Sequence, residues 1–172
     1  MRWTPVWLAL ALTAACSHVP GQEVPDVRTP VVVVNEMLRL AAVTRDDIVY
    51  DLGSGDGRIV IAAARDRGAR GVGFEIDPAL VVEANASARR LKLTERVTFR
   101  QDDLFAADLH EATVVTLYLS PDLNRRLRPK LLAELRPGSR IVSHAFDMGD
   151  WKPEKELDVE GRKVYFWTIP KR

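Results

Sequence analysis

A turn with three glycines lies between an apolar strand and an apolar helix. Its sequence is Asp51-Leu-Gly-Ser-Gly-Asp-Gly57, with Ile48–Tyr50 before it and Arg58–Ala64 after it. Glycine lets the backbone approach a ligand without an intervening side chain, and the start of a helix offers N–H groups to an anion. The turn therefore predicts a β-α-β unit that holds a ligand at its first loop.

A second strand, Gly71–Ile76, carries Glu75 at its end, 24 residues after Asp51. In nucleotide-binding β-α-β units an acid at about this separation binds the ribose hydroxyls. We therefore predict an adenosine-containing cofactor. A dinucleotide fingerprint would place its third glycine at position 58, where this chain has Arg58, so the spacing does not favour a dinucleotide.

The G-x-G-x-G spacing after an acid, with a second acid ending the next strand, resembles motif I and its partner in class I S-adenosylmethionine-dependent methyltransferases. This resemblance implies S-adenosyl-L-methionine as the cofactor. Asp51 would balance its ammonium, the N–H groups of Gly53–Gly57 would take its carboxylate, and Glu75 would accept from both ribose hydroxyls. The cofactor-binding residues predicted from these two segments are Asp51, Gly53, Ser54, Gly55, Gly57, Glu75 and Ile76.

Three later segments keep the order of this superfamily. Val97–Asp103 is a third strand that ends in carboxylates, where the superfamily has an acid for the adenine amino group. Asp103 aligns best with that acid, and Asp102 is the second candidate. Val114–Leu119 resembles the fourth strand, and Leu135–Val142 resembles the helix end, Pro-Gly turn and fifth strand.

A narrower resemblance rests on Thr29-Pro30 ahead of a helix, on Tyr50–Ala64 and on Gly73-Phe74-Glu75. These segments are similar to the ATP-synthase c-subunit lysine methyltransferase family and its bacterial relatives, which implies N-methylation of a protein lysine. Two segments near the expected acceptor entrance, Pro25–Pro30 and Tyr118–Pro121, depart from the family pattern. A small-molecule or lipid-associated acceptor, or a lipoprotein that binds adenosyl ligands without turnover, therefore stays open.

Methyl transfer from a sulfonium depends on positioning more than on a strong acid or base. The sequence shows no catalytic triad, and its catalytic residues stay unassigned. Tyr118 and Ser120, at the end of the fourth strand, are candidates to orient the acceptor. His144 ends the fifth strand, where a structural role is favoured over proton acceptance. Asp56 and Arg58 either order the loop or cap the helix after it.

The composition is that of one globular domain: 172 residues, 47% hydrophobic, with a formal net charge of +1. This charge does not favour a nucleic-acid partner, which would call for clustered Lys and Arg. The single cysteine, Cys16, excludes an intramolecular disulfide and a thiolate zinc site. We expect a monomer without a metal site.

Residues 1–15 differ from the rest of the chain. Arg2 precedes an apolar run and the small residues Thr13–Ala15, which predicts a lipoprotein-type signal peptide with lipidation of Cys16. Residues 16–28 predict a flexible tether, and 29–172 the methyltransferase domain. The chain would be a membrane-anchored lipoprotein facing the periplasm, with a cytoplasmic location as the alternative. A periplasmic domain would need S-adenosylmethionine on that side of the membrane; otherwise the signal interpretation is wrong or the domain has lost its chemistry.

Alternating strands and helices predict an α/β, Rossmann-like, seven-stranded mixed sheet, mostly parallel, with an antiparallel C-terminal hairpin and helices on both faces. Thr29-Pro30 is predicted to start the first helix, which runs to Val43, and Asp122 to cap the fourth. The predicted strands are Ile48–Leu52, Gly71–Ile76, Val97–Gln101, Thr113–Leu119, Arg140–His144, Glu156–Val159 and Lys163–Ile169. The remaining predicted helices are Gly57–Arg67, Ala79–Leu91 and Leu123–Leu135.

Overall fold

The structure is a computed structural model that describes residues 28–171. The predicted signal peptide, the predicted lipidation site Cys16 and the predicted tether up to residue 27 lie outside the described residues. The strands are β1 (Ile48–Leu52), β2 (Arg70–Glu75), β3 (Val97–Gln101), β4 (Val114–Leu117), β5 (Arg140–His144), β6 (Lys155–Val159) and β7 (Arg162–Thr168). The helices are α1 (Val31–Leu40), α2 (Arg58–Arg67), α3 (Pro78–Arg90) and α4 (Pro121–Glu134).

All seven strands form one sheet in the order β3-β2-β1-β4-β5-β7-β6. Strands β1 to β5 are parallel, and β7 is antiparallel to both β5 and β6. The β6–β7 turn is Glu160-Gly161, where both residues have positive φ (51° and 79°), as a type I′ hairpin turn requires. The predicted seven-stranded mixed sheet is therefore confirmed. Strand order reverses between β1 and β4, which opens a crevice at the carboxyl edge.

Successive residues of the central strands bury opposite faces of the sheet. Val49 packs with α1 and α2, whereas the next residue, Tyr50, packs with α4. Helix α3 lies beside α2 and packs its small residues Ala84 and Ala88 against Phe99 of β3. Helices therefore cover both faces, as predicted. Among residues 28–171, no helix is long and apolar enough to cross a membrane.

Two predicted helix starts are wrong. The N-cap of α1 is Pro30, without a side-chain cap, because the buried Thr29 hydroxyl lies 3.2 Å from Nδ1 of His144 instead. The N-cap of α4 is Ser120, whose hydroxyl accepts from the Leu123 N–H at 3.4 Å. Pro121 takes the first helical position after it, so Asp122 lies inside the first turn.

The other element ends agree with the sequence or shift by a few residues. Strands β1, β3 and β5 have their predicted bounds, and Asp77 caps α3 by accepting from the Ala79 N–H at 2.8 Å. Gly57 precedes α2 as its N-cap with a φ of 80°. Strand β4 ends at Leu117, two residues early, because Tyr118 and Leu119 line a cavity instead of extending the ladder.

Candidate active site

The carboxyl ends of β1, β2 and β4 surround a cavity of about 620 Å³. The strand reversal between β1 and β4 creates this space, as expected for an open α/β sheet. Seven of the predicted site residues line the cavity together: Asp51, Gly53, Ser54, Gly55, Glu75, Tyr118 and Ser120.

The glycine loop owes its shape to close contacts. Gly53, Gly55 and Gly57 have φ values of 81°, 53° and 80°, in the left-handed region that favours glycine. A Cβ at Gly57 would lie 2.5 Å from ring atoms of Phe99, and so would a Cβ at Gly73. The Phe99 ring of β3 therefore fills the space that side chains at both glycines would need. Unlike Gly53 and Gly55, Gly57 does not line the cavity.

Four of the five N–H groups between Gly53 and Gly57 are used within the protein. Those of Gly53 and Ser54 both donate to the Phe74 carbonyl at 2.9 Å, and that of Gly57 donates to the Ser54 carbonyl at 2.9 Å. The Gly55 N–H donates to Oε2 of Glu75 at 2.8 Å. These bonds hold the loop against the end of β2. The carboxylate that was predicted to meet these N–H groups therefore needs other partners.

Asp51 is a buried acid beside the cavity, 2% exposed. Its Oδ1 accepts from the hydroxyl of Thr116, the neighbouring residue on β4, at 2.7 Å. Burial raises the pKa of Asp51 to about 7; the Thr116 hydrogen bond opposes this, and the charges of Glu75 and Asp56 add to it. A cationic group of a ligand would stabilise the ionised form of a carboxylate in such surroundings.

Glu75 lies at the rim of the cavity with its orientation fixed. Its Oε1 accepts from the N–H groups of Ile76 and Asp77 at 2.8 and 3.0 Å, and its Oε2 from Gly55. A carboxylate has about four acceptor positions, so Oε2 keeps one for a ligand.

Ile76, Asp102 and Asp103 lie outside the cavity lining. Ile76 is 71% exposed beside Glu75, and the Asp102 N–H donates to the Glu75 carbonyl at 3.1 Å. The Asp102 carboxylate accepts from the Asp103 N–H at 2.8 Å, and that of Asp103 from the Phe105 N–H at 2.9 Å. We refer to these three residues, which lie next to Glu75 outside the cavity, as the ledge. Both of its carboxylates accept hydrogen bonds from backbone N–H groups.

Arg28 lines the cavity although the sequence places it in the tether. Its guanidinium pairs with Asp56 at 3.1 Å, and Arg58 pairs with the same carboxylate at 2.7 Å. Arg58 also donates to the Thr29 carbonyl at 3.0 Å. Asp56 and Arg58 thus order the loop against the segment before α1. No local pattern signals a pairing between residues 28 positions apart. Sequence reasoning also missed apolar lining residues: Ile59, Leu80, Leu119 and Phe146.

Tyr118 is held by a stack with His144, with ring centroids 4.1 Å apart. Burial lowers the pKa of His144 to about 4, and the charge of Arg162 lowers it further. His144 is therefore neutral at physiological pH. Its ring stacks on Tyr118 and lies within hydrogen-bond distance of the Thr29 hydroxyl, so both contacts fix the wall of the cavity. The Ser120 hydroxyl caps α4 and also lines the cavity.

Comparison with known proteins relates the chain to methyltransferases. The family model of the ANTKMT methyltransferase domain matches residues 51–155. A protein-lysine N-methyltransferase of Saccharolobus islandicus is 44% identical over 158 residues, which are 89% of this chain and 97% of that protein. The adenine nucleotide translocase lysine N-methyltransferase of Mus musculus is 36% identical over 165 residues, 95% of this chain and 71% of that protein.

A solved structure has a similar fold. The RNA methyltransferase from Salinibacter ruber, in complex with S-adenosyl-L-homocysteine, is 58% identical, with a TM-score of 0.84. The similarity covers 85% of this chain and 95% of that one.

Ligand affinity should depend on the ionisation of Asp51. S-adenosylhomocysteine keeps the ammonium and carboxylate of the predicted cofactor, and its ammonium needs an ionised partner. With a pKa of about 7 for Asp51 in the free protein, affinity should fall about tenfold from pH 8 to pH 6. Calorimetric titration at both pH values measures this. Asp51→Asn should bind weakly at both, and a pH-independent affinity of the wild-type protein would contradict the assignment.

The same ionisation should destabilise the ligand-free fold. The pKa of Asp51 is raised from 3.8 to about 7 on folding, so the folded state holds a proton that the unfolded state has lost. Stability therefore falls as pH rises from about 4 to 7. Between pH 5 and 8 the wild-type protein should lose about 3 kcal/mol relative to Asp51→Asn. Urea unfolding of both proteins at the two pH values measures this difference; parallel pH profiles would show that Asp51 titrates normally.

Proposed function

Because this chain belongs to the ANTKMT methyltransferase domain family, we propose that it transfers the methyl group of S-adenosylmethionine to the side-chain amine of a lysine in a protein. The chain is an S-adenosylmethionine-dependent methyltransferase. The lysine acceptor is supported by the 44% identity to a protein-lysine N-methyltransferase, which extends over 97% of that relative. A second relative that is named for lysine methylation shares 36% identity.

The residues of the cavity fit the cofactor. Asp51 offers a buried negative charge to the ammonium, and Arg28 and Arg58 are the cations in the lining that suit the carboxylate. Oε2 of Glu75 has an acceptor position for a ribose hydroxyl.

The ledge beyond Glu75 suits the adenine. Ile76 exposes an apolar side chain that would pack on a flat ring. Asp102 and Asp103 follow β3 at the same edge of the sheet, and a carboxylate there would accept from the adenine amino group. Each of these carboxylates has accepted one backbone N–H and keeps further acceptor positions.

Positioning is what these residues contribute to the reaction. The sulfonium of the bound cofactor supplies a methyl group on a good leaving group. Tyr118, Leu119 and Phe146 form the wall on the β4 and β5 side, where they exclude water and align an acceptor amine. Alignment of this kind can contribute about 7–11 kcal/mol. The apolar wall also lowers the pKa of an entering ammonium, so the amine loses its proton without a strong base.

A second candidate function is methylation of RNA. The name of the Salinibacter ruber protein, which is 58% identical to this chain, favours it. The formal net charge of +1 favours a protein acceptor, because RNA-binding surfaces carry an excess of positive charge. A small-molecule or lipid-associated acceptor is the remaining alternative within the same chemistry.

Labelled S-adenosylmethionine distinguishes these acceptors. We expect that cell extract incubated with the enzyme and methyl-labelled cofactor yields label in protein, recovered as methyl-lysine after acid hydrolysis. Label should survive ribonuclease and be released by protease. Glu75→Ala should greatly reduce the signal, because it removes the ribose acceptor. Label released by ribonuclease, or confined to metabolites, would overturn the lysine proposal.

We also propose that Cys16 is acylated and anchors the domain to a membrane on its periplasmic side. The support is the sequence pattern of residues 1–16. Cells that express the full chain should incorporate labelled palmitate into it, and Cys16→Ser should abolish the incorporation. Equal labelling of both proteins, or none of the wild-type protein, would contradict this anchor.

A further inference from the structure

A second cavity adjoins the cofactor cavity on the far side of Tyr118. Its volume is about 310 Å³, and Tyr118 and Arg28 line both cavities. The other lining residues come from the ends of β5 and α1 and from the β6–β7 turn: Pro30, His144, Ala145, Gly161, Arg162 and Lys163. The cofactor residues lie at β1 and β2, so this cavity reaches the reacting centre from the opposite, β5 side.

The wall between the cavities is fixed on both sides. Tyr118 stacks on His144, which is 2% exposed, and the Thr29 hydroxyl lies within hydrogen-bond distance of the His144 ring. Ala145 has a left-handed φ of 67°, and its N–H donates to the Lys163 carbonyl at 2.7 Å. This bond ties the β6–β7 hairpin to the end of β5. The hairpin therefore presents Arg162 at a fixed place beside the wall.

The charges of the second cavity are of one sign. Arg28, Arg162 and Lys163 line it, and no Asp or Glu of the described part of the chain does. Arg28 pairs with Asp56, and Lys163 pairs with Glu156 at 2.7 Å. Arg162 forms no salt bridge with any acidic residue between positions 28 and 171; its guanidinium makes only a long contact of 3.4 Å with the Glu160 carbonyl. Arg162 is thus the cation whose charge is not balanced.

We propose that the acceptor segment around the target lysine binds over this cavity, with the lysine amine reaching the cofactor cavity past Tyr118, which lines both. Arg162 then binds a carboxylate next to that lysine in the acceptor protein. A lysine approaching a cationic cavity is repelled unless the acceptor brings negative charge. The planar guanidinium of Arg162 matches a carboxylate with two parallel hydrogen bonds. This inference rests on the proposed lysine methylation and names its substrate class: lysines flanked by Asp or Glu.

Two matched peptides test the selectivity by binding. One carries a central lysine between Asp and Glu; the other carries the same lysine between Asn and Gln. In the presence of S-adenosylhomocysteine, calorimetry should show about tenfold tighter binding of the acidic peptide to the wild-type protein. Arg162→Gln should remove this preference, and Arg162→Glu should shift it toward a peptide that carries Arg at the flanking positions.

Arg70→Gln is the matched control, since Arg70 is exposed at the amino end of β2, the opposite edge of the sheet. It should keep the preference. All variants should bind S-adenosylhomocysteine as the wild-type protein does. Equal binding of both peptides by the wild-type protein would overturn the inference, and so would a preference that survives Arg162→Gln or preferential binding of an RNA oligonucleotide.

Turnover separates this inference from the proposed function. If lysine methylation is correct, the preference should appear in kcat/KM, chiefly through KM, because Arg162 contacts the acceptor and not the reacting atoms. Arg162-dependent peptide binding without methyl transfer would refute lysine methylation and leave the acidic binding site standing. Methyl transfer without discrimination would refute the site and leave lysine methylation standing.

Discussion

A buried carboxylate at the point where strand order reverses is the constraint on which the site depends. Asp51 and Thr116 are neighbours on β1 and β4, and their hydrogen bond crosses the place where the sheet opens. Among residues 28–171, no cation balances Asp51 there; the charges acting on it come from Glu75 and Asp56 and are negative. Ionisation of Asp51 is therefore unfavourable in the ligand-free protein, and a cationic ligand would stabilise the ionised form. The glycine loop, Glu75 and the ledge beyond it are arranged around that group.

The sequence was most informative where local signals and tertiary packing agree. The bounds of β1, β3 and β5 follow from short apolar runs between turn residues, and those strands are central to the sheet or pack directly on helices. The cofactor loop was predictable because glycine is the residue type that tolerates its backbone angles. Asp51 and Glu75 were predictable because they end neighbouring parallel strands, which brings them to one edge.

Long-range pairings explain what the sequence could not predict. Thr29 is a residue type that often caps helices, yet its hydroxyl lies within hydrogen-bond distance of His144, 115 residues away. Arg28 belongs to a stretch rich in turn residues, yet Asp56 draws it into the cavity wall. The loop N–H groups were expected to face a ligand, but those of Gly53, Ser54 and Gly55 donate to the end of β2. In each case a contact with a residue distant in sequence outweighs a local preference. The sequence near each position therefore does not predict the contact.

The position of Phe99 limits the substitutions that neighbouring residues can accept. Its ring fills the volume that Cβ atoms at Gly57 and Gly73 would occupy, so three positions on separate elements share one space. A side chain at either glycine position therefore needs a smaller residue at 99, and Gly57 is further held by its backbone angle. A Cβ at Gly73 would also lie 2.5 Å from Oγ of Ser54, so a larger residue at 73 requires prior changes at both 54 and 99. Single substitutions that enlarge a side chain are therefore excluded at both glycine positions, and this part of the pocket can change only through coordinated substitutions.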